Sequence, residues 1–315
     1  IRDWSVTGVQ TCALPILQYV ERGARGERDY GNLFPSLNAS HQLRERLLLR
    51  ASYARTMTRP QITSVVPTTT VTDPASTAFP TITVNNPGLK PWTSDNYDVA
   101  LEYYFEQPGL ISVGAFRKEI RDFFGSVRVP ATSALLAEYG FDDSYLGYDI
   151  ATRENVGRAR VSGLEFEYRQ TLTGLPGWAR GLAVFANATS LRVEGAARAD
   201  FSGFINRTAN WGVSLSRPRY TARVNWNYRG RQRQGAVTGT NVPAGTYQFN
   251  LPRFSTEVNL EVRLTPRVTF FANVRNALDI AWRSGIYSPD TPEYARLSNW
   301  VEYGPQVLVG VKGSF

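Results

Sequence analysis

Apolar side chains recur at every second position over runs of about eight to fifteen residues. A helix of this chemistry would repeat every 3.6 residues; a period of two is that of a pleated strand with one apolar and one polar face. The clearest run is at the C-terminus, where Val301, Tyr303, Val307, Val309, Val311 and Phe315 share one parity and Glu302, Gln306, Lys312 and Ser314 the other. The split repeats upstream. Thr256, Val258, Leu260, Val262 and Leu264 alternate with Glu257, Asn259, Glu261 and Arg263. Tyr97, Val99, Leu101, Tyr103 and Phe105 alternate with Asp98, Ala100, Glu102, Tyr104 and Glu106. Strands of soluble sandwiches average about 5–6 residues, whereas a strand that crosses a bilayer needs about 9–11. Run length therefore favours a transmembrane β-barrel. The longest apolar stretch, GLISVGAF at 109–116, is far below the roughly 18 residues of a spanning helix, so an α-helical membrane protein is excluded. Aromatics near run ends, Tyr97 and Phe105, Tyr220 and Tyr228, Trp300 and Phe315, fit interfacial girdles.

The connections alternate between short and long. Arg44-Glu45, Gln107-Pro108-Gly109, Gly174–Gly177, Arg217-Pro218-Arg219 and Thr265-Pro266-Arg267 are short. Proline suits such turns because it fixes φ and cannot donate to a ladder. Segments 57–92, 128–153, 195–206, 233–250 and 279–299 are long and rich in Thr, Pro, Gly, Asn and Asp. Short turns at one end and long loops at the other characterise membrane barrels. The pattern predicts an all-β, antiparallel sheet of eleven strands, near 33–43, 46–56, 93–106, 110–127, 157–172, 179–193, 207–216, 219–232, 251–264, 267–277 and 300–315. Single-chain bacterial barrels have even strand numbers, so eleven implies an open half-barrel with further strands upstream.

Residues 6–16, VTGVQTCALPI, resemble the in-frame translation of a sequencing adapter. Residues 1–16 are on this reading extraneous, and 17–315 is a C-terminal portion of a barrel without its N-terminal strands. Cys12, the one cysteine, falls in that segment, so no intramolecular disulfide is available.

A family resemblance agrees with the pattern. The segment NNPGLKPWTSDNYDVALEYYF at 85–105 resembles the barrel of TonB-dependent outer-membrane receptors, through Asn86, Pro87, Leu89, Lys90, Pro91, Ser94, Asn96, Tyr97, Glu102, Tyr103, Tyr104 and Phe105. LFPSLNAS at 33–40 and LLRASYARTMTRP at 48–60 look like two further family segments, and NVRNALD at 273–279 looks like its Asn-Leu-Phe-Asp box, with Ala277-Leu278 as a departure. The resemblance implies a bacterial outer-membrane transporter with a plugged lumen, energised by a TonB-type inner-membrane protein. It would take up a bulky, scarce nutrient: an iron chelate, a cobalamin-like molecule or an oligosaccharide. Terminal Phe315 matches the signal read by the barrel assembly machinery. A passive porin, an adhesive barrel and a secreted glycan-binding β-protein are the alternatives.

Side-chain chemistry points away from catalysis. The polar parity carries Arg50, Arg169, Arg223, Arg229, Arg263, Arg275 and Lys312 against Glu102, Glu106, Glu165, Glu167, Glu257, Glu261 and Glu302. This balanced wall suits ion pairs between strands. The net +8 then lies in loops and ends, and the scattered basic residues do not form a nucleic-acid track. RGRQR at 229–233, the densest basic run, reads as a solvated strand end. Glu165 and Glu167 share a strand face too commonly to indicate acid–base work. His41, the one histidine, excludes His-pair metal motifs, and Asp142-Asp143 lacks EF-hand spacing. No catalytic, cofactor or metal residues are assigned. The weak ligand candidates are Tyr139, Phe141, Tyr145 and Tyr148, whose rings could stack on sugars or aromatic ligands or else cover the barrel mouth.

Overall fold

The structure, a computed structural model, describes residues 31–75, 80–195, 201–237, 242–243 and 245–313. Residues 1–16 and Phe315 lie outside the described residues. The chain opens with the hairpin β1 (Ser36–Arg44) and β2 (Leu47–Thr58). The following loop holds one helical turn, α1 (Ile62–Val65), and the short strands β3 (Thr69–Val71) and β4 (Thr81–Val84). Next come β5 (Trp92–Tyr104), β6 (Gly109–Pro130), helix α2 (Ser133–Glu138) and β7 (Asp149–Leu172). Then follow β8 (Leu182–Gly195), β9 (Arg207–Ser216) and β10 (Tyr220–Arg229). β11 (Gln232–Ala236) and β12 (Tyr247–Asn250) leave the wall; β13 (Arg253–Arg263) and β14 (Val268–Arg275) return to it. β15 (Trp282–Tyr287) and β16 (Leu297–Val301) leave again, and β17 (Gln306–Gly313) is the last strand.

Eleven long strands hydrogen-bond in the order β1-β2-β5-β6-β7-β8-β9-β10-β13-β14-β17, every neighbour antiparallel. The number and order agree with the alternation. β1 and β17 end the sheet without pairing to each other, so the wall is an open, partial barrel. All short turns gather at one end and all long loops at the other, because each strand reverses its predecessor.

Register carries the two-fold period across strands. Val184, Val213, Val224, Val258, Val274 and Val307 stand side by side on six successive strands. On the opposite face Glu167, Asn187, Asn210, Asn227 and Ser255 form a second row. The apolar face is open: Val113 is 53% exposed, Leu164 61% and Val309 60%. A soluble monomer rarely exposes so continuous an apolar band, but lipid would cover it without cost. Tyr53 and Tyr97, 5.2 Å apart, border this band toward the long loops, as do Trp211 and Trp226. Tyr103, Phe105 and Tyr168 border it toward the short turns.

Several strand limits differ from the sequence reading, and those of β6, β7 and the last strand have local reasons. The expected last strand, 300–315, is two pieces. Leu297–Val301 pairs with β15, and the wall resumes only at Gln306. Gly304, at φ 69°, and Pro305 turn the chain between the two sheets while the alternation runs on through the break. Trp300 therefore belongs to the second sheet, and Glu302 stands off the polar wall, accepting a hydrogen bond from Trp300 Nε1 at 2.8 Å. β6 and β7 run on to Pro130 and Asp149, which shortens the 128–153 loop. A bulge at Asp122, φ 57°, shifts the register there and masks the continuation. Beyond the Tyr53–Tyr97 belt, the outward parity also becomes ionic. Asp95 accepts from Arg55 Nε at 2.7 Å, and Arg160 Nε donates to Glu119 at 3.0 Å. The sequence reading had placed the wall charges on the polar face alone.

A single-layer wall has no interior, and the two clusters of buried apolar residues lie beside the long loops. Ile120, Phe123, Ala159 and Val161 form one cluster, with Phe201 packed against it. Ile82, Val84, Leu136 and Ile150 form another.

Candidate functional site

The polar wall face carries cross-strand ion pairs, as its charge balance implied. Arg50 Nε meets Glu102 at 2.9 Å, and Lys312 Nζ meets Glu261 at 2.7 Å across the intervening β14. Glu167 stands 3.8 Å from Arg169 on its own strand. Such pairs hold side chains in place and supply no reactive group. Among the described residues no group of three His, Cys, Asp or Glu could hold a metal ion. His41 is exposed on edge strand β1.

At the long-loop end two assemblies stand out. The first contains the aromatics singled out in the sequence. Tyr139, Phe141, Tyr145 and Tyr148 are half-buried and pack on the Ile82–Val84–Leu136–Ile150 cluster. Phe141 and Tyr145 meet edge-on at 5.0 Å, and Tyr145 and Tyr148 at 5.2 Å. Burial pushes the Tyr139 phenol above its ordinary pKa. Asp142 caps the short turn after α2, accepting from the Ser144 amide at 2.9 Å. The Ser144 hydroxyl, and after it that amide, hold its carboxyl below the usual range. The rings are engaged with one another and with the apolar cluster.

The second assembly was not anticipated. β11, β12, β15 and β16, from the loops after β10 and β14, pair into a separate four-stranded sheet. Tyr247 stands opposite Tyr287, and Phe249 opposite Gly285. A β-carbon at Gly285 would collide with the Arg296 carbonyl, so glycine there lets the strands close. Phe249 and Tyr287 stack at 4.3 Å and 14°. Arg231 lies 4.9 Å over Phe249 and donates to the Tyr287 hydroxyl at 3.0 Å. Arg296 lies 5.3 Å from the Tyr287 ring, and Arg233 4.4 Å from that of Tyr247. The 201–205 segment joins this sheet, Gly203 N donating to Arg233 O at 2.9 Å.

Together these residues line a cavity of about 670 Å³ with Phe201, Phe204 and Val193, and among the described residues its lining holds no acidic side chain. Arginine on aromatic faces is held flat while its outer N–H edge stays free to donate. The cavity can therefore receive a ligand that carries both negative charge and rings. RGRQR is not simply a solvated strand end: Arg231, just before β11, and Arg233, within it, both turn to this cavity. The usable signal was the pairing of that basic run with the alternating Tyr247 and Phe249, which sequence distance hides.

A family described as "TonB dependent receptor-like, beta-barrel" matches residues 6–277. Curated proteins yield no match. Among solved structures, a ferric enterobactin receptor mutant from Pseudomonas aeruginosa aligns over 90% of this chain and 40% of its own, with 20% identity and TM-score 0.62. The copper transporter OprC aligns over 89% and 38%, with 16% identity and TM-score 0.59. P. aeruginosa FpvA bound to a heterologous pyoverdine–iron complex aligns over 92% and 34%, with 14% identity and TM-score 0.57. The chain thus spans about 40% or less of the length of these structures.

Proposed function

The chain belongs to the TonB-dependent receptor β-barrel family, whose members are bacterial outer-membrane transporters rather than enzymes, and from this premise we propose that it is barrel wall and mouth of an active importer of a bulky, scarce nutrient. The importer is energised through a plug by a TonB-type partner. The barrel stands in outer-membrane lipid, with the long loops outside and the short turns in the periplasm. The barrel assembly machinery reads its C-terminus, including Phe315. Of the substrate classes the sequence left open, an anionic, ring-bearing iron chelate is the best match, ahead of a cobalamin-like molecule or an oligosaccharide.

One observation carries this choice. The 670 Å³ cavity sets Arg231, Arg233 and Arg296 on Phe249, Tyr287 and Tyr247, with no acid among the described residues of its lining. A neutral sugar would use the rings but bring no negative charge to offset the three guanidiniums. The solved relatives named for ferric enterobactin and for a pyoverdine–iron complex support the same class.

The test is uptake of radiolabelled ferric chelates by cells whose full receptor carries this chain. Uptake should require an energised inner membrane, and Arg231→Ala with Arg296→Ala should abolish saturable binding while leaving receptor abundance unchanged. Energy-independent, non-saturable entry would indicate a passive porin. For topology, single cysteines in whole cells should label at position 140 and stay protected at position 108.

A further inference from the structure

The outer face of the wall, turned away from the lumen, carries a charged hollow where the apolar band ends. It lies on β6, β7, β8 and the start of β9, in the middle of the eleven-strand order, so strands added beyond β1 or β17 would not lie against it. The outward parity of these strands is apolar at Val113, which stands opposite Phe166. It then turns basic. The row of Tyr53 and Tyr97 continues through Arg117 and Ser162 to Arg192. In the row beneath, Leu164 stands opposite Ser190, and Ser190 opposite Arg207. The two serines are short beside the arginines around them. They leave a hollow of about 580 Å³ at the level of the aromatic belt, with Arg117, Arg192 and Arg207 around it and Leu164 on its apolar side.

The acids beside this hollow are shared between arginines. Glu119 accepts from Arg117 Nε at 2.6 Å and from Arg160 Nε at 3.0 Å. Glu194 lies 2.8 Å from Arg192 Nε and 3.6 Å from Arg160 Nη1. Two carboxylates thus serve three guanidiniums, and Arg207, which takes no part in that ladder, brings the excess to +2 (four arginines less two glutamates). A guanidinium has five N–H donors and a carboxylate engages at most two of them side by side, so donors remain on each arginine. The Arg192 side chain is 79% exposed. The hydroxyls of Ser162 and Ser190 add donors of their own. Next to these donors begins the exposed strip of Leu164 and Val113. A small anion would meet the donors and leave the strip bare. An amphiphile with a phosphate headgroup meets both, its phosphate among the guanidiniums and its chains on the apolar band.

We propose that Arg117, Arg192 and Arg207 form a headgroup site on the outer wall that holds a phosphorylated lipid of the outer leaflet. The site rests on the topology given above, with the long loops outside, and not on which nutrient is carried. The bound phosphate takes up the cationic excess of the ladder, and the chains cover Leu164.

The experiment titrates the full receptor in detergent micelles with lipid A bearing two phosphates and counts bound lipid by native mass spectrometry. Dephosphorylated lipid A and inorganic phosphate are the comparison arms. The phosphorylated lipid should bind at least about tenfold more tightly than the dephosphorylated one. Inorganic phosphate should not displace it. Arg207→Gln leaves the ladder intact and should weaken binding about fivefold; replacing Arg117, Arg192 and Arg207 together by Gln should weaken it about a hundredfold. Arg231→Gln, in the aromatic cavity, should change nothing. The proposal is overturned if the dephosphorylated lipid binds equally well, if Arg207→Gln and the triple variant bind as the native chain does, or if Arg231→Gln removes the lipid. Displacement by inorganic phosphate would also overturn it, since the site would then be one for a free anion. Cysteine labelling at position 108 with protection at position 140 would reject the topology on which the site rests, whatever the lipid titration gives.

Discussion

The two loop assemblies use the same kinds of ring to opposite ends. Beside β4 and β7, four aromatics close around Ile82 and Leu136, neither of which has measurable exposure, and around Val84 and Ile150. On the four-stranded sheet, three aromatics carry arginines and face a cavity. What differs is the partner available in register. The tyrosines of the first assembly meet aliphatic residues, and burial consumes their faces. Tyr247, Phe249 and Tyr287 meet Arg233, Arg231 and Arg296, and the charge keeps the surface open to water. An aromatic-rich loop is thus a weak guide to ligand binding unless the chemistry set against the rings is known.

The comparison breaks most visibly at Ile82. Ile82→Asp buries an unpaired carboxyl, at a cost of several kcal/mol. Limited proteolysis should then cut the 59–91 and 131–148 loops, while chelate affinity stays within about twofold because cation–π contacts in the other assembly are untouched. If affinity collapses with the loops, the two assemblies are not separable. The converse change is Tyr287→Ala. It removes one stack and two cation–π contacts, so chelate affinity should fall about tenfold in a binding titration, with the thermal midpoint of the wall little changed. A folded variant with native affinity would remove the aromatic cavity from the ligand path.

Tyr145→Leu sharpens the contrast. Loss of two edge-on ring contacts should cost about 1 kcal/mol of local stability, read by hydrogen exchange. Chelate affinity should move less than twofold, whereas a large drop would restore Tyr139, Phe141, Tyr145 and Tyr148 as ligand contacts. The smallest expected effect is at Asp142, whose folded carboxyl titrates below its ordinary 3.8. A lowered folded pKa contributes stability that is present above pH 3.8 and disappears as pH falls through the folded value. Asp142→Ala should therefore speed amide exchange at Ser144 near neutral pH and match the native chain in strong acid.

The alternation by itself determined the class, the strand count and the neighbour order. Period two over eight or more residues admits little besides a strand, and short turns force consecutive strands to pair. Its errors fell where parity was locally misleading. At Gly304-Pro305 the alternation continues across a change of sheet, and at Asp122 a bulge interrupts it within one strand. The ligand surface was not legible for a different reason. Arg231, Phe249, Tyr287 and Arg296 are spread over 66 positions, from 231 to 296, and only the pairing of β11 with β12 and β12 with β15 stacks them. Likewise Arg117 and Arg192 each belong to the outward face of a different strand, and only the register that sets both against Ser162 brings them together. Periodicity along a chain reports which face a residue takes. Which residue stands across from it is decided by pairing between distant strands, and that is where charge and ring chemistry acquire a function.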